Sequence, residues 1–206
     1  MIFWVLTPIS AEVFAVNMQK QSSPKMNALD DVSACLNSSA LLAMISDTGE
    51  ETNSETLRAI VARFGFLNYD SGELRDALKR AKYRFYNLRS KYIVEARWIV
   101  DELPGLIANG NRHQVRDYLV DNVMGIGYKE ASHFLRNVGI FDFAILDKHI
   151  LRMLASEYPG IRIRVGSRQS YLDTEKYVID IARGMGMEAG ILDLYMWKLA
   201  TGKIIK

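Results

Sequence analysis

Residues 125–152 have the sequence GIGYKEASHFLRNVGIFDFAILDKHILR, in which a glycine turn leads into one helix and an apolar loop leads into another. An amphipathic helix is predicted just before this stretch, over about Gln114–Met124, because its apolar residues lie four apart. Gly125-Ile126-Gly127 should end that helix. A new helix should begin at Tyr128 and stop at Gly139, in the manner of a C′ glycine. The predicted unit is therefore helix, tight hairpin, helix.

The hairpin Gly125-Ile126-Gly127 has the composition of a phosphate site. Glycine lets the backbone approach an anion closely, and N–H groups at the start of the following helix face that anion. A plain turn would explain the same residues. Lys129 follows in the first turn of the helix, where the helix dipole disfavours a cation and favours the uncharged amine that can attack carbon. An exposed surface lysine is the alternative interpretation.

Asp147 lies 18 residues after Lys129, behind the apolar loop GIFDFAIL. Aspartate is a favoured N-cap, so the helix that follows could by itself account for this residue. A carboxylate at the edge of an apolar pocket can also stabilise a developing sugar oxocarbenium ion and transfer a proton. Each of these features is ambiguous alone, and their order along the chain is the informative signal.

The composition is that of a globular protein, with 49% apolar and 24% charged residues in a chain of 206. The single cysteine, Cys35, excludes a disulfide framework, a four-thiolate iron–sulfur cluster and a Cys-rich zinc site. We therefore expect no metal centre and a cytoplasmic protein. The apolar segment Met1–Val16 lacks a basic start and is interrupted by Pro8 and Glu12, which favours a core helix over a signal peptide.

The charge is unevenly distributed along the chain. Residues 1–78 contain 5 basic and 10 acidic side chains, whereas residues 79–206 contain 21 basic and 14 acidic ones. A basic part of this kind is typical of a surface that binds a polyanion, although solvated helix faces are often basic too. Within it, Lys79–Arg97 interleaves seven basic residues with four aromatic ones, as base extrusion from DNA requires and as a plain amphipathic helix also allows.

The rest of the chain is predicted to be almost entirely helical, since it has four prolines and no sustained alternation of apolar and polar residues. Polar, turn-rich stretches at residues 21–24 and 47–54 indicate loops. The remaining predicted helices are Thr56–Phe64, about 73–99, 149–158, 170–186 and 188–201, the last capped by Gly202.

The order helix, Gly-Ile-Gly, helix with lysine, apolar loop and aspartate resembles the helix–hairpin–helix DNA glycosylase superfamily. Within it, the chain is most similar to the small 8-oxoguanine DNA glycosylase/AP lyases of archaea and some bacteria. RFYNLRSKYIVEAR (84–97) and LDLYMWKLATGKIIK (192–206) also carry the resemblance. It is dense over residues 79–206, the expected catalytic and DNA-binding part. It is loose over residues 1–78, an N-terminal helical part in which only WVLTPISAE matches.

The resemblance implies an all-α, two-lobed fold with the active site in the cleft between the lobes. It also implies that Lys129 of the GYK motif attacks C1′ of a flipped nucleotide, forms a Schiff base and supports β-elimination. Asp147 of the LDKH motif is implied as the second catalytic residue. The final lysine, Lys206, is implied in distinguishing 8-oxoguanine from guanine, a task that needs an acceptor for the N7–H group. That acceptor is either the Lys206 carboxylate or a main-chain carbonyl.

Substrate contacts are predicted on the same basis. Phe85 and Trp197 are stacking partners for the extruded base, although core packing explains both equally well. The N–H groups of the Gly125–Gly127 hairpin should grip a phosphate, and the hairpin carbonyls could bind a monovalent cation, with no other cofactor expected. The predicted partner is double-stranded DNA containing 8-oxoguanine, bound by a nucleoid-associated monomer that contacts no membrane. Predicted contacts to the DNA backbone are Arg84, Arg89 and Lys148.

Three alternatives remain at the level of sequence. A related glycosylase for thymine glycol or mismatched adenine would usually carry a four-cysteine cluster after the last helix, and this sequence has none. A helix–hairpin–helix module that binds DNA without chemistry would not need Lys129 and Asp147 in this register. The third alternative is a basic helical protein that binds no nucleic acid, and only the charge distribution argues against it.

Overall fold

The computed structural model of the protein describes residues 68–160 and 162–202, and this part of the chain is helical with no β-strand. The absence of strands within it agrees with the predicted all-α class. The helices are α1 (Ser71–Arg80), α2 (Tyr86–Glu95), a 3-10 turn (Ala96–Trp98), α3 (Ile99–Asn109), α4 (Arg112–Asn122), α5 (Tyr128–Asn137), α6 (Lys148–Glu157), α7 (Arg168–Gly184) and α8 (Ala189–Thr201).

The single long helix predicted over residues 73–99 is wrong. The chain leaves the helical conformation after α1, and Lys82 and Phe85 both adopt left-handed backbone conformations, with φ of +56° and +57°. A right-handed helix cannot pass through such residues. The basic and aromatic residues continue their pattern across the break, so amphipathicity alone does not reveal it.

Helix α3 lies where no helix is predicted, and Pro104 is inside it. A proline in a helix interior costs about 3 kcal/mol because it removes one N–H donor and crowds the preceding turn. Ile99 and Leu103 are both buried and pack this helix onto the core. Burial of each contributes roughly 1.5–3 kcal/mol, which offsets the cost of the proline.

The described residues fall into two compact units, 68–125 and 126–202. The first contains α1 to α4, with a capping box at the start of α1 in which Asp70 and Glu73 bond each other's backbone N–H groups. The predicted division into residues 1–78 and 79–206 stays a prediction, because most of the first part lies outside the described residues. The expected cleft between two lobes also stays a prediction.

The helices on either side of the hairpin have nearly the predicted limits. Helix α4 begins after Asn111, whose side chain caps it by accepting a hydrogen bond from the N–H of His113 (3.0 Å). Helix α5 ends as predicted, with Gly139 at φ +93°. Two hydrogen bonds close this end, from Gly139 N to Arg136 O (3.0 Å) and from Ile140 N to Leu135 O (2.9 Å), which is the Schellman arrangement.

The second unit holds the apolar loop, residues 139–147, between α5 and α6. Phe143 and Ala144 at its centre are fully buried. Helix α8 approaches the loop through Gly190, whose N–H donates to Phe141 O (2.8 Å). A Cβ at Gly190 would lie 3.2 Å from Phe141 Cα, so glycine permits this close approach. The loop is thus a packed part of the core.

Some predictions concern residues outside the described ranges: the helices at Met1–Val16 and Thr56–Phe64, the loops at 21–24 and 47–54, and the role of Lys206. Among the described helices, none is long and apolar enough to cross a membrane. No group of three or more His, Cys, Asp or Glu residues within residues 68–160 and 162–202 is arranged to hold a metal ion.

Candidate active site

The hairpin between α4 and α5 contains Gly125, whose conformation requires glycine, and Gly127, which caps α5. Gly125 has φ of +87°, and a Cβ there would lie 2.5 Å from Cδ2 of Tyr92, closer than real side chains approach. Gly127 is extended and is the N-cap of α5, and its N–H donates to Oε2 of Glu130 (3.1 Å). The first N–H groups of α5 therefore lie directly after a turn whose backbone is constrained at Gly125 and at Gly127.

Lys129 is the second residue of α5, as predicted. Its side chain is about one third exposed, and Nζ lies 3.9 Å from Oε1 of Glu130. Glu130 thus contacts the amine with one oxygen and caps the helix with the other. The amine is close enough to the surface to meet a substrate and close enough to a carboxylate to exchange a proton through a water.

His133 lies one helical turn after Lys129 and was not identified from the sequence. It is almost completely buried, and burial lowers the pKa of its imidazole well below the usual 6.5. The positive charges of Arg136 and Lys129 lower it further. The ring is therefore neutral at neutral pH. Its spacing of four from Lys129 is the one signal that could have drawn attention to it.

Asp147 is the N-cap of α6, as predicted. Its Oδ1 accepts hydrogen bonds from the N–H groups of His149 (2.8 Å) and Ile150 (2.9 Å). Both bonds use the same oxygen, so capping does not occupy Oδ2. The structural and the catalytic interpretations of Asp147 are therefore compatible.

Tyr171 on α7 brings the starts of α5 and α6 together. Its ring lies 5.6 Å, centroid to centroid, from the ring of Tyr128, which directly precedes Lys129. Its hydroxyl accepts a hydrogen bond from the N–H of Leu146 (3.4 Å), which directly precedes Asp147, and donates one to Ala144 O (3.2 Å). The chain segments that carry Lys129 and Asp147 therefore share one neighbour. In the sequence, Tyr171 resembles any core tyrosine.

A buried ion pair joins α5 to α8. Arg136 NH1 lies 2.9 Å from Asp193 Oδ1, and both side chains are almost fully buried. Asp193 Oδ2 accepts a hydrogen bond from Ile145 N (2.8 Å) in the apolar loop. Burial raises the pKa of Asp193 to about 6, against the opposing effects of Arg136 and of the Ile145 N–H. Neither charged residue was identified from the sequence.

Arg168 is a further basic residue that sequence reasoning missed. It is exposed, it is the first residue of α7, and its Cζ lies 5.4 Å from the centroid of the Tyr128 ring. A guanidinium therefore lies beside the residue that precedes Lys129. A cation at a helix start is electrostatically unfavourable, which is the same signal that marked Lys129.

Three of the predicted substrate contacts lie in the first unit. Phe85 is 60% exposed in its left-handed conformation, and the Cζ of Arg84 lies 5.0 Å from the centroid of its ring. A bulky, exposed aromatic residue with such a backbone is rare and is typical of functional sites. Arg89 lies partly buried in α2.

The remaining predicted contacts have different placements. Trp197 is buried in α8, as a core residue would be. Lys148 is exposed as the first residue of α6, next to Asp147. Lys206 lies outside the described residues, so its role in recognition stays a prediction. The hairpin carbonyls likewise stay the predicted ligands of a monovalent cation.

Comparison with known proteins agrees with this arrangement. The family model of the 8-oxoguanine DNA glycosylases that carry the helix–hairpin–helix motif matches residues 46–187. The chain belongs to the 8-oxoguanine DNA glycosylase family. The match begins well before residue 79, where the resemblance becomes dense in the sequence.

Individual members of the family are similar over most of the chain. The 8-oxoguanine DNA glycosylase/AP lyase of Thermoplasma volcanium is 57% identical over 142 residues, which cover 69% of each chain. The crystal structure of the Thermotoga maritima 8-oxoguanine DNA glycosylase superimposes with a TM-score of 0.76 at 30% identity, over 98% of this chain and 93% of that one.

The Methanocaldococcus jannaschii enzyme was solved in complex with a 15-mer DNA containing 8-oxoguanine. It superimposes with a TM-score of 0.74 at 31% identity, over 95% of this chain and all of that one. These matches confirm the predicted family, the predicted helix–hairpin–helix fold class and the predicted enzyme class.

Proposed function

We propose that this protein excises 8-oxoguanine from double-stranded DNA through a Schiff base on Lys129 and then cleaves the abasic strand by β-elimination. The observation that carries the proposal is the position of Tyr171, beside both the start of the Lys129 helix and the loop that ends in Asp147. Membership of the family indicates the substrate, since its named relatives are 8-oxoguanine DNA glycosylase/AP lyases.

DNA binding begins at the hairpin. The first N–H groups of α5 and the helix dipole attract a backbone phosphate, and Gly125 and Gly127 let that phosphate come close. A monovalent cation on the hairpin carbonyls would add positive charge at the same place. Four exposed or partly buried cations supply further phosphate contacts: Arg84, Arg89, Lys148 and Arg168.

Lys129 supplies the nucleophile. Its amine must be uncharged to attack, and Glu130 lies near enough to take the proton through one water. Nζ then bonds to C1′ while the glycosidic bond breaks and the base leaves with its bonding electrons and a proton. The C1′–O4′ bond then breaks, O4′ takes up a proton, and the nitrogen lone pair forms the C1′=N bond of the Schiff base. The Schiff base acidifies the C2′ hydrogen, and loss of that proton expels the 3′ phosphate.

Asp147 stabilises the positive charge that develops on the sugar. Its Oδ1 is held by two backbone N–H groups, which orients the carboxylate and leaves Oδ2 outside the capping bonds. The same oxygen is suited to carry protons between the amine and the leaving base. The capping bonds therefore hold the group that the chemistry needs.

Recognition depends on the extruded base. Extrusion costs a few kcal/mol, which stacking and pocket hydrogen bonds must offset. Phe85 is an exposed aromatic side chain suited to stacking or to filling the gap that the base leaves, and the buried Trp197 is the second proposed stacking partner. Lys206 is the proposed residue for distinguishing 8-oxoguanine from guanine at N7.

The experiment that tests the function compares duplexes that carry one 8-oxoguanine or one guanine at the same position. We expect base release and strand cleavage only with 8-oxoguanine. Asp147→Asn should retain DNA affinity, since asparagine also caps helices, but should lose most of its turnover. Release of thymine glycol or mismatched adenine instead of 8-oxoguanine would assign the protein to another lesion.

The Lys206 assignment has its own test. Removal of Lys206 should reduce 8-oxoguanine excision more than cleavage at preformed abasic sites, because the latter contain no base to recognise. Equal losses in the two reactions would contradict a role in recognition.

A further inference from the structure

We infer that Asp193 is a positioning residue for the reaction: through Ile145 it fixes Asp147 relative to Lys129. The inference rests on the roles proposed above for those two residues. In this role Asp193 does not contact the reacting atoms and acts through the backbone of the apolar loop.

The connection to Asp147 consists of two hydrogen bonds. Asp193 Oδ2 accepts from Ile145 N at 2.8 Å, and the carbonyl oxygen of Ile145 accepts from Asp147 N at 2.9 Å. Both bonds are made by the backbone of Ile145. A shift of the Asp193 carboxylate is therefore passed to the backbone of Asp147 through a single residue.

The connection to Lys129 runs through Arg136. Asp193 uses its other oxygen, Oδ1, to bind Arg136 NH1 at 2.9 Å. Arg136 follows Lys129 by seven residues on α5, or two helical turns and about 10 Å. A single carboxylate thus holds the Lys129 helix with one oxygen and the Asp147 loop with the other.

The loop depends on side chains for its backbone hydrogen bonds. Three successive N–H groups, from residues 144, 145 and 146, donate to Glu175 Oε1 (3.2 Å), Asp193 Oδ2 (2.8 Å) and Tyr171 Oη (3.4 Å). All three acceptors are buried. No helix or strand lies within the loop, so these three side chains hold the backbone of the segment that directly precedes Asp147.

The ion pair is a poor candidate for a purely stabilising device. Desolvation of two buried charges commonly cancels their attraction, and apolar pairs often replace them without loss of stability. The alternative is that the ion pair positions catalytic groups, because a displacement of a catalytic group by about 1 Å can lower the reaction rate on the order of 100-fold.

The test uses two double variants that both lack the buried ions. In Arg136→Met/Asp193→Asn, the amide oxygen still accepts from Ile145 N. In Arg136→Met/Asp193→Leu, that acceptor is gone. Each double variant is prepared twice, once with the native Asp147 and once with the added substitution Asp147→Asn. For each protein we measure DNA affinity and the rate of single-turnover 8-oxoguanine excision at saturating DNA.

With Asp147 present, we expect the excision rate of the variant with leucine at position 193 to be about 10- to 100-fold lower than that of the variant with asparagine, with equal DNA affinity. In the Asp147→Asn background, leucine in place of asparagine at position 193 should change the excision rate by less than about twofold, since the Asp147 carboxylate that is positioned is gone. Equal fold-losses in both backgrounds would overturn the inference. An undiminished rate in Asp147→Asn alone would instead contradict the proposed function, and that result requires no change at position 193.

Tyr171→Phe provides a second variant that preserves the core and the ring contact with Tyr128. It removes only the hydroxyl that binds the backbone at residues 144 and 146. If the loop positions Asp147, this variant should also slow excision with Asp147 and have no effect with Asp147→Asn. A loss that is the same in both backgrounds would contradict the inference, whether or not the double variants fold.

Discussion

Replacement of Gly125 by alanine tests whether the hairpin geometry is needed to hold DNA. The substitution places a methyl group on a residue with φ of +87°, and the left-handed conformation costs roughly 1–2 kcal/mol for a residue with a Cβ. The new Cβ also lies 2.5 Å from Tyr92 Cδ2 and 3.1 Å from its Cε2, so the ring or the hairpin must move. Overpacking of this kind adds roughly 1–3 kcal/mol. The free energy of unfolding should therefore fall by about 2–5 kcal/mol.

The functional consequence follows from where the strain is relieved. Movement of the hairpin displaces the N–H groups that face the phosphate, and a hydrogen bond to a charged group contributes roughly 1.5–3 kcal/mol. Loss of one such bond weakens DNA binding by about 10- to 100-fold.

Gly139→Ala is the matched control. Gly139 has a similar φ of +93°, but no atom lies within 4 Å of a Cβ built there. This variant should lose only the strain energy of roughly 1–2 kcal/mol and keep its DNA affinity. Urea unfolding and fluorescence anisotropy with a labelled duplex measure the two quantities. If Gly125→Ala binds DNA as tightly as the unmodified protein, or if both variants lose affinity equally, the hairpin does not act as we propose.

Two further predictions concern residues found only in the structure. Arg168→Gln should reduce the slope of log K for DNA against log salt concentration by about 0.9, because one phosphate contact is lost. Arg183→Gln, at the other end of α7 and paired with Asp180, should leave the slope unchanged; an unaltered slope for Arg168→Gln would remove it from the interface. His133 has a lowered pKa when folded, so below pH 6.5 the unfolded chain binds its proton and stability falls as pH falls. Between pH 7.5 and 5.5 the free energy of unfolding of the unmodified protein should fall by on the order of 1 kcal/mol more than that of His133→Asn. Urea unfolding measures both, and equal losses would contradict a buried neutral imidazole.

The parts of the site that the sequence predicts correctly are those with local signals. Gly127 and Gly139 mark the two ends of α5 within a residue or two. At Gly139 the reason is the left-handed C′ conformation that glycine permits. Asp147 marks the start of α6 because its side chain accepts hydrogen bonds from the first N–H groups of that helix. Lys129 was identified because a cation at a helix start needs an explanation, and family membership supplied one.

The parts that the sequence does not predict depend on distant contacts or on unusual conformations. Tyr171 and Asp193 bind loop residues 25 and 48 positions away, and a single sequence does not reveal such pairs. The break before α2 occurs at Lys82 and Phe85, residue types that rarely adopt positive φ, so nothing local predicts it. Helix α3 contains Pro104, which disfavours a helix locally, and it is stabilised by buried side chains whose partners are distant in the sequence.

Borohydride trapping decides whether Lys129 forms the covalent bond to DNA. The protein is incubated with a duplex containing 8-oxoguanine, and the reductant converts any Schiff base into a stable protein–DNA adduct. We predict an adduct with the unmodified protein and with Lys198→Gln, an exposed lysine on α8, and none with Lys129→Gln. An adduct of full yield with Lys129→Gln would contradict the assignment of Lys129 as the nucleophile.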